Sequence, residues 1–268
     1  MKLFYREFGH EGPKLVILHG LYGASDNWVS IARQLEKDYH VYLLDQRNHG
    51  QSPHSDIHDY ESMANDLLEF LDDKEIDKAH VIGHSMGGKT AMRFALAHPE
   101  RIQKLVILDI APKSYASFSN YAQITNNHEQ IIKSLSSIKL EGISSRKAID
   151  EQLSVHLPDT GLRHFLLKNI ERSKNGQYQW RLNLPVIRQT LERIMDGFSN
   201  LDPDDTRVNI PSIFIRGEQS GYVMDEDTLI MRKFFKDAEL VTIPKAGHWL
   251  HAEQPELLIK TLAYFLLD

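Results

Sequence analysis

The chain has 268 residues, 41% of them hydrophobic and 25% charged, with a formal net charge of −6. That is the composition of an ordinary soluble globular protein, and the negative balance argues against nucleic acid or an anionic membrane as the partner. With no cysteine at all, disulfides, thiolate metal sites and a cysteine nucleophile are excluded.

The opening KLFYREF (2–8) alternates apolar and polar residues and runs into GHEGP, so it reads as an antiparallel edge strand that turns into a sheet. No apolar run there is long enough for a signal peptide, and no segment approaches the roughly 20 apolar residues of a membrane helix. The expectation is a cytoplasmic chain without membrane insertion.

Six short apolar runs follow: KLVILHG (14–20), HVYLLD (40–45), AHVIGH (79–84), KLVILD (104–109), PSIFIRG (211–217) and LVTIP (240–244). Continuous apolar runs suit strands covered by helices on both faces of a parallel sheet. Between them lie the helix-like SDNWVSIARQLEKD (25–38), YESMANDLLEFLDDKEI (60–76) and MGGKTAMRFALAHPE (86–100). The second sets Met63, Leu67, Phe70 and Leu71 on one face. Caps are expected at Ser25 or Asp26 for the first and at Ser62, with Asn65 and Asp66 behind it, for the second. Strand then helix, repeated, predicts an α/β fold with a doubly wound, mostly parallel sheet and helices on both faces.

The rhythm breaks between 112 and 203. ITNNHEQIIKSLSSI, SRKAIDEQLSVHL, LRHFLLKNIERS and LPVIRQTLERIMDGF succeed one another as helix-like segments, and GQYQWRLNL among them fits a short hairpin or an extended link. The expected organisation is a core of residues 1–111 and 204–268, with a helical cap, 112–203, inserted after the strand that ends at Asp109. Phe118, Tyr121, Phe165 and Trp180 read as cap core and suggest an apolar acyl chain.

HVIGHSMGGKTAM places Gly83, Ser85 and Gly87 as G-x-S-x-G directly after an apolar strand and before a helix. The glycines permit a tight turn that lifts the Ser85 hydroxyl out at the amino end of the helix, where developing negative charge is favoured. A serine nucleophile needs a base. Of fourteen histidines, His248 in IPKAGHWLHAEQP follows the last apolar strand. His251 reads as capping or packing near the following helix, and His84, a strand neighbour of Ser85, as pointing away from it.

ILHGLYG ends the first central strand with backbone N–H groups near the elbow, so the amides of Leu21 and Met86 are assigned to an oxyanion hole. The base also needs a carboxylate on its other ring nitrogen. In IRGEQSGYV, Ser220 cannot supply it, Glu218 lies too early in its turn, and Asp225 and Asp227 are accounted for at a helix start. Asp109 closes KLVILD at the carboxyl end of a central strand, the edge where open α/β sheets assemble their sites. It is the expected acid, with Ser220 part of a turn. DQRNHGQS, with Asp45, Arg47 and His49, reads as a structural loop in which Asp45 and Arg47 pair or bond to backbone.

On HGLYGASDNW, DQRNHGQSPHS, GHSMGGKTAM, LDIAP and GHWLHAE the chain resembles the α/β-hydrolase superfamily, and within it the group of YbfF-type bacterial esterases and their mitochondrial abhydrolase relatives. The resemblance spans nearly the whole chain. It implies Ser85 as nucleophile, Asp109 as acid, His248 as base and a helical cap over 112–203. The expected activity is that of a serine esterase or thioesterase, acting on a small-molecule acyl ester or acyl thioester, without metal or cofactor. Carbon–carbon bond hydrolysis or a lyase reaction on the same elbow is the alternative within enzymes, and a noncatalytic ligand sensor is the alternative outside them. Acyl-chain length and oligomeric state are not readable from the sequence.

Overall fold

The computed structural model describes residues 1–267; Asp268, the last residue of the expected core, lies outside them. In chain order the strands are β1 (Tyr5–Phe8), β2 (Lys14–Leu18), β3 (His40–Leu44), β4 (Ala79–His84), β5 (Ile102–Leu108), β6 (Ile170–Arg172), β7 (Tyr178–Trp180), β8 (Ser212–Gly217) and β9 (Glu239–Ile243). The helices are α1 (Val29–Leu35), α2 (Tyr60–Asp73), α3 (Met86–Ala97), α4 (Ala122–Ser137), α5 (Arg146–Ser154), α6 (Thr160–Leu167), α7 (Leu184–Asp196), α8 (Pro203–Thr206), α9 (Asp227–Phe234), α10 (Leu250–Glu253) and α11 (Pro255–Leu267).

Seven strands form one sheet in the order β1-β3-β2-β4-β5-β8-β9. β1 pairs antiparallel with β3 at one edge, and the other pairings in this sheet are parallel. Every residue of β3 and β4 is buried. Successive side chains alternate between the faces, which divides the apolar runs between two cores. Val16, Leu18, Val81 and Ile107 join Met63, Leu67 and Phe70 of α2 and Met92 and Phe94 of α3 on one face. Leu15, Ile17, Ile82 and Val106 join Ile31 and Leu35 of α1 and Leu258, Leu262 and Leu266 of α11 on the other. Burying one such aliphatic side chain contributes about 1.5–3 kcal/mol, so the helices on both faces stabilise the sheet by keeping its apolar side chains from water.

Residues 112–203 supply α4–α7 and a two-stranded antiparallel hairpin of β6 and β7, all between β5 and β8. GQYQWRLNL thus includes the second strand of a hairpin, and its partner β6 occupies the tail of LRHFLLKNIERS, where the sequence reads as helix. The insertion is fastened to the core at polar points. Tyr60 Oη donates to the Ile194 carbonyl (2.7 Å) and Asn169 Nδ2 to the Tyr22 carbonyl (2.8 Å). The buried Lys89 of α3 donates through Nζ to the carbonyls of Lys113 (3.0 Å), Met195 (2.7 Å) and Asp196. Two of those carbonyls close α7, whose carboxyl end attracts a cation.

Two expected caps shift. Residues Ser25–Trp28 form a 3-10 turn, with the Ala24 N–H donating to Asn27 Oδ1 (2.8 Å). Neither Ser25 nor Asp26 caps a helix: the Ser25 amide is taken by Asp45 (2.6 Å) and Asp26 pairs with Arg6. α2 begins at Tyr60 with Asp59 as cap, accepting from the Ser62 N–H (2.8 Å). In both cases a neighbouring acid or amide outcompetes the residue that local preference selects.

Candidate active site

β4 ends at His84, and the next residue, Ser85, takes φ 52 and ψ −117 before α3 begins at Met86. A non-glycine residue held there costs about 1–3 kcal/mol and persists only when its surroundings over-determine it. The surroundings are glycines. A Cβ on Gly83 would lie 2.3 Å from the Gly87 carbonyl oxygen, and one on Gly87 would lie 2.4 Å from the Leu18 carbonyl oxygen. The Ser85 N–H donates to the Leu108 carbonyl (3.0 Å), tying the elbow to the end of β5.

One residue beyond β5, Asp109 also takes a positive φ, 50°, while its N–H donates to the Ile215 carbonyl of β8 (2.8 Å). The carboxylate is almost fully buried, at 1% exposure, and is satisfied by three donors. Oδ1 accepts from the Gly217 N–H (3.1 Å), and Oδ2 accepts from His248 Nδ1 (2.7 Å) and from the Ser220 hydroxyl. A buried charge is tolerable when it is hydrogen-bonded in this way. The His248 loop is fixed in turn by Glu253, which accepts from the N–H groups of Gly247 (2.6 Å) and Trp249 (3.1 Å) on either side of the histidine.

The loop after β2 approaches from the other side: a Cβ on Gly20 would lie 3.1 Å from the Ser85 Cβ. This loop is held from beneath by DQRNHGQS. His19 Nδ1–H donates to the Gly20 carbonyl (2.8 Å) and Nε2 accepts from the Gln46 N–H (2.9 Å), an arrangement that requires a neutral ring. Burial also lowers its pKa. Asp45 accepts from the amides of Ser25 (2.6 Å) and Gln51 (2.8 Å). Arg47 pairs with Asp66 of α2 (2.6 and 2.8 Å) and not with Asp45.

Ser85, Leu21 and His248 line one cavity of about 300 Å³, whose far wall comes from the insertion through residues including His128, Leu157, Leu162 and Phe165. A narrow cleft of about 10 Å³ opens behind Ser85, between Leu21, Met86, Tyr115 and Met195. Leu21 and Ser85 thus line both cavities, His248 lines the larger and Met86 the smaller, and Asp109 is joined to them through His248. The hydrogen bonds of His248 run through Nδ1 to Asp109 and through its carbonyl to His84. None joins it to the Ser85 hydroxyl among the described residues; in a site without substrate this contact is commonly long.

Three sequence readings are corrected here. Ser220 does belong to a turn, with its N–H on the Gly217 carbonyl (3.1 Å), but its hydroxyl also enters the site on Asp109. His84 does not point away. Because Ser85 leaves strand geometry, the alternation of faces ends at His84, whose Nε2–H donates to the His248 carbonyl (2.8 Å) and whose ring lies 4.7 Å from that of His248. Phe118 is 73% exposed and is no part of a core, whereas Phe165 faces the cavity. His251, expected to cap or pack near the following helix, lies within α10 and stacks on Trp28 with centroids 4.2 Å apart. Burial, followed by the nearby His248, pushes His84 well below its ordinary value and lowers His128 and His251 to about 3, so these rings are neutral near pH 7.

Tyr222 was not singled out in the sequence. Its ring stacks on His248 with centroids 3.9 Å and planes 15° apart. The only signal was an aromatic residue two positions beyond Ser220 in an otherwise small and polar loop. The one grouping with metal-ligand spacing among the described residues is Glu7, His10 and His40. It lies at the amino end of β3, the opposite end of the strands from Ser85, and Lys14 Nζ stands 2.7 Å from His40 Nδ1, placing a positive charge beside any cation.

Comparison with known proteins agrees with this architecture. The family described as the alpha/beta hydrolase fold matches residues 13–255. The chain is 36% identical over 274 residues to the sn-1-specific diacylglycerol lipase ABHD11 of Danio rerio, covering 99% of this chain and 83% of that protein. It is 34% identical over 261 residues to Esterase YbfF of Escherichia coli (strain K12), covering 97% and 95%. A solved structure described as a marine microorganism esterase superposes with a TM-score of 0.93 at 47% identity, covering 98% of this chain and 99% of that one. Elbow, sheet order and relatives together identify the chain as a member of the α/β-hydrolase family.

Proposed function

We propose that the protein is a serine ester hydrolase that works through an acyl-enzyme, with Ser85 as nucleophile, His248 as general base and acid, and Asp109 as the orienting carboxylate. The observation that carries this reading is the 2.7 Å hydrogen bond from His248, which lines the same cavity as the strained Ser85 elbow, to the buried Asp109 carboxylate. His248 Nδ1–H points at the carboxylate, which leaves Nε2 with its lone pair toward the cavity. Nε2 takes the Ser85 proton as Oγ attacks the acyl carbonyl. The oxyanion is received by the amides of Leu21 and Met86, the latter at the amino end of the twelve-residue α3, where helix dipole and free N–H groups favour negative charge. His248 then protonates the departing alcohol or thiol, and water repeats the sequence on the acyl-enzyme.

Residues 112–203 act in this reading as a cap that closes the cavity, with 1–111 and 204–268 as the hydrolase core. Leu157, Leu162, Phe165 and Trp249 give the cavity apolar walls, and Asn27, Asn127, His128, Gln130, His156 and Asp159 add polar points. Such a lining suits a neutral acyl ester or acyl thioester. A volume of about 300 Å³ is at the small end for ligand cavities, which favours compact substrates.

Fluorophosphonate labelling tests the nucleophile: the label is expected on the wild type and absent from Ser85→Ala. A ladder of p-nitrophenyl esters and matching acyl thioesters then reads chain length and leaving group. Labelling that persists in Ser85→Ala would remove the basis of the reading.

A further inference from the structure

Tyr222 joins three parts of the site that are far apart in sequence. Its ring covers one face of the His248 imidazole, with centroids 3.9 Å and planes 15° apart. Its hydroxyl lies 2.9 Å from His128 Nε2 on α4, in the insertion. The phenol has no other acceptor among the described residues, so it is assigned as the donor. Its N–H donates to Ser220 Oγ (3.3 Å), which itself donates to Asp109, and its carbonyl accepts from the Tyr115 hydroxyl (2.7 Å). It also borders both the main cavity and the narrow cleft behind Ser85.

An imidazole held by one hydrogen bond at Nδ1 is still free to tilt about that bond. A flat aromatic neighbour on one face removes that freedom. The face of a tyrosine ring is electron-rich, so it also attracts the imidazolium that forms when His248 holds the serine proton. Around His248 the other groups are Asp109 on Nδ1, Ser220 beyond it, and His84, His128, His251 and Trp249. Glu253 holds the amides on either side of His248; with the three histidines neutral, Asp109 is the charged side chain bonded to the ring itself, and Tyr222 supplies the face-on contact.

We propose that Tyr222 is a positioning residue with two separable tasks: its ring sets the angle of the His248 imidazole, and its hydroxyl ties that arrangement to α4 through His128. The proposal rests on His248 being the base.

Two substitutions separate the tasks. Tyr222→Phe keeps the ring and loses the hydroxyl. Its kcat and the acid limb of its pH–rate profile are expected to match the wild type, while KM rises about fivefold as the α4 wall loosens. His128→Ala should reproduce that KM effect. Tyr222→Leu removes the ring. Its kcat is expected to fall on the order of a hundredfold, as for a misplaced catalytic group, and its acid limb to move down by roughly half a pH unit. Should Tyr222→Leu fail to fold, Tyr222→Met carries the same expectation.

Wild-type kcat and an unmoved acid limb in the ring-less variants would overturn the proposal. So would a Tyr222→Phe enzyme as impaired in kcat as Tyr222→Leu. The parent reading fails differently: in that case Ser85→Ala or His248→Ala retains hydrolysis, whatever Tyr222 does.

Discussion

Asp109 and His248 are 139 positions apart in the chain and 2.7 Å apart in the fold, through Oδ2 and Nδ1. Replacing the acid by its amide keeps the shape but offers an N–H or a neutral oxygen where the imidazole needs a carboxylate. Asp109→Asn is therefore expected to lower kcat on the order of 10⁴-fold, and Ser85→Ala or His248→Ala on the order of 10⁶-fold. Asp225, an exposed acid that pairs with Arg216, serves as the comparison, and Asp225→Asn is expected to remain within about twofold of wild type, as surface changes usually do. Initial rates on a p-nitrophenyl ester check all four, and an inactive Asp225→Asn beside an active Asp109→Asn would reverse the assignment.

Ser220 donates to the same Oδ2 atom that receives His248 Nδ1. Hydrogen bonds to a charged group are worth about 1.5–3 kcal/mol, so Ser220→Ala should lower thermal stability measurably and cost roughly tenfold in kcat as the carboxylate gains freedom to turn. The shared atom also means that positions 109 and 220 converge on one imidazole. An exchange, Asp109→Ser with Ser220→Asp, puts a carboxylate within reach of Nδ1 from the β8 side and is expected to recover at least tenfold over Asp109→Ser alone. No recovery, in a variant that still melts cooperatively, would mean that position 220 does not face the imidazole closely enough to replace the acid.

Much of the architecture was legible because burial writes a local record. Continuous apolar runs such as AHVIGH and KLVILD have no polar face, and only a strand covered on both sides needs none. The elbow was legible for a similar reason: the glycine at 83 relieves a clash with Gly87 within one turn of chain, and the spacing to the glycine at 87, which makes room for the Leu18 carbonyl of β2, completes the motif. The α2 cap was a local competition, won by Asp59 over Ser62 three positions on. The rest of what escaped depends on other segments: Ile170–Arg172 leaves its helical pattern to pair with Tyr178–Trp180, and the Ser220 hydroxyl finds a carboxylate 111 positions away. Tyr222 was invisible in sequence because nothing local distinguishes a tyrosine that stacks on an imidazole from one that covers a loop.

The glycines of the elbow make a sharper prediction. A Cβ on Gly87 would lie 2.4 Å from the Leu18 carbonyl oxygen and 2.6 Å from that of His19, both backbone atoms of the strand and loop that carry Leu21. Gly87→Ala must push β2 and α3 apart, an overpacking cost of about 1–3 kcal/mol, and shift the Leu21 amide with it. Melting is expected to drop by roughly 2–5 °C and turnover to fall at the same time. Gly221, whose Cβ would meet nothing within 4 Å, supplies the control: Gly221→Ala should melt like the wild type.

The buried histidines set the response to acid. Burial, followed by the positive charge His248 can carry, lowers His128 and His251 from the ordinary 6.5 to about 3. In the unfolded chain both rings take up a proton as the pH falls below 6.5, while in the folded protein they refuse it until about 3. The unfolded state then binds more protons, so stability rises with pH across this window and is lost progressively from about 6.5 down toward 3. Each ring costs about 2 kcal/mol by pH 5. Denaturant melts at pH 7.5, 6 and 5 should show a falling free energy of unfolding, with a shallower fall in His251→Gln, which carries no titrating ring at that position. Equal stability at pH 7.5 and pH 5 would mean that these rings accept protons in the folded protein, and that the packing of His251 against Trp28 opens to water.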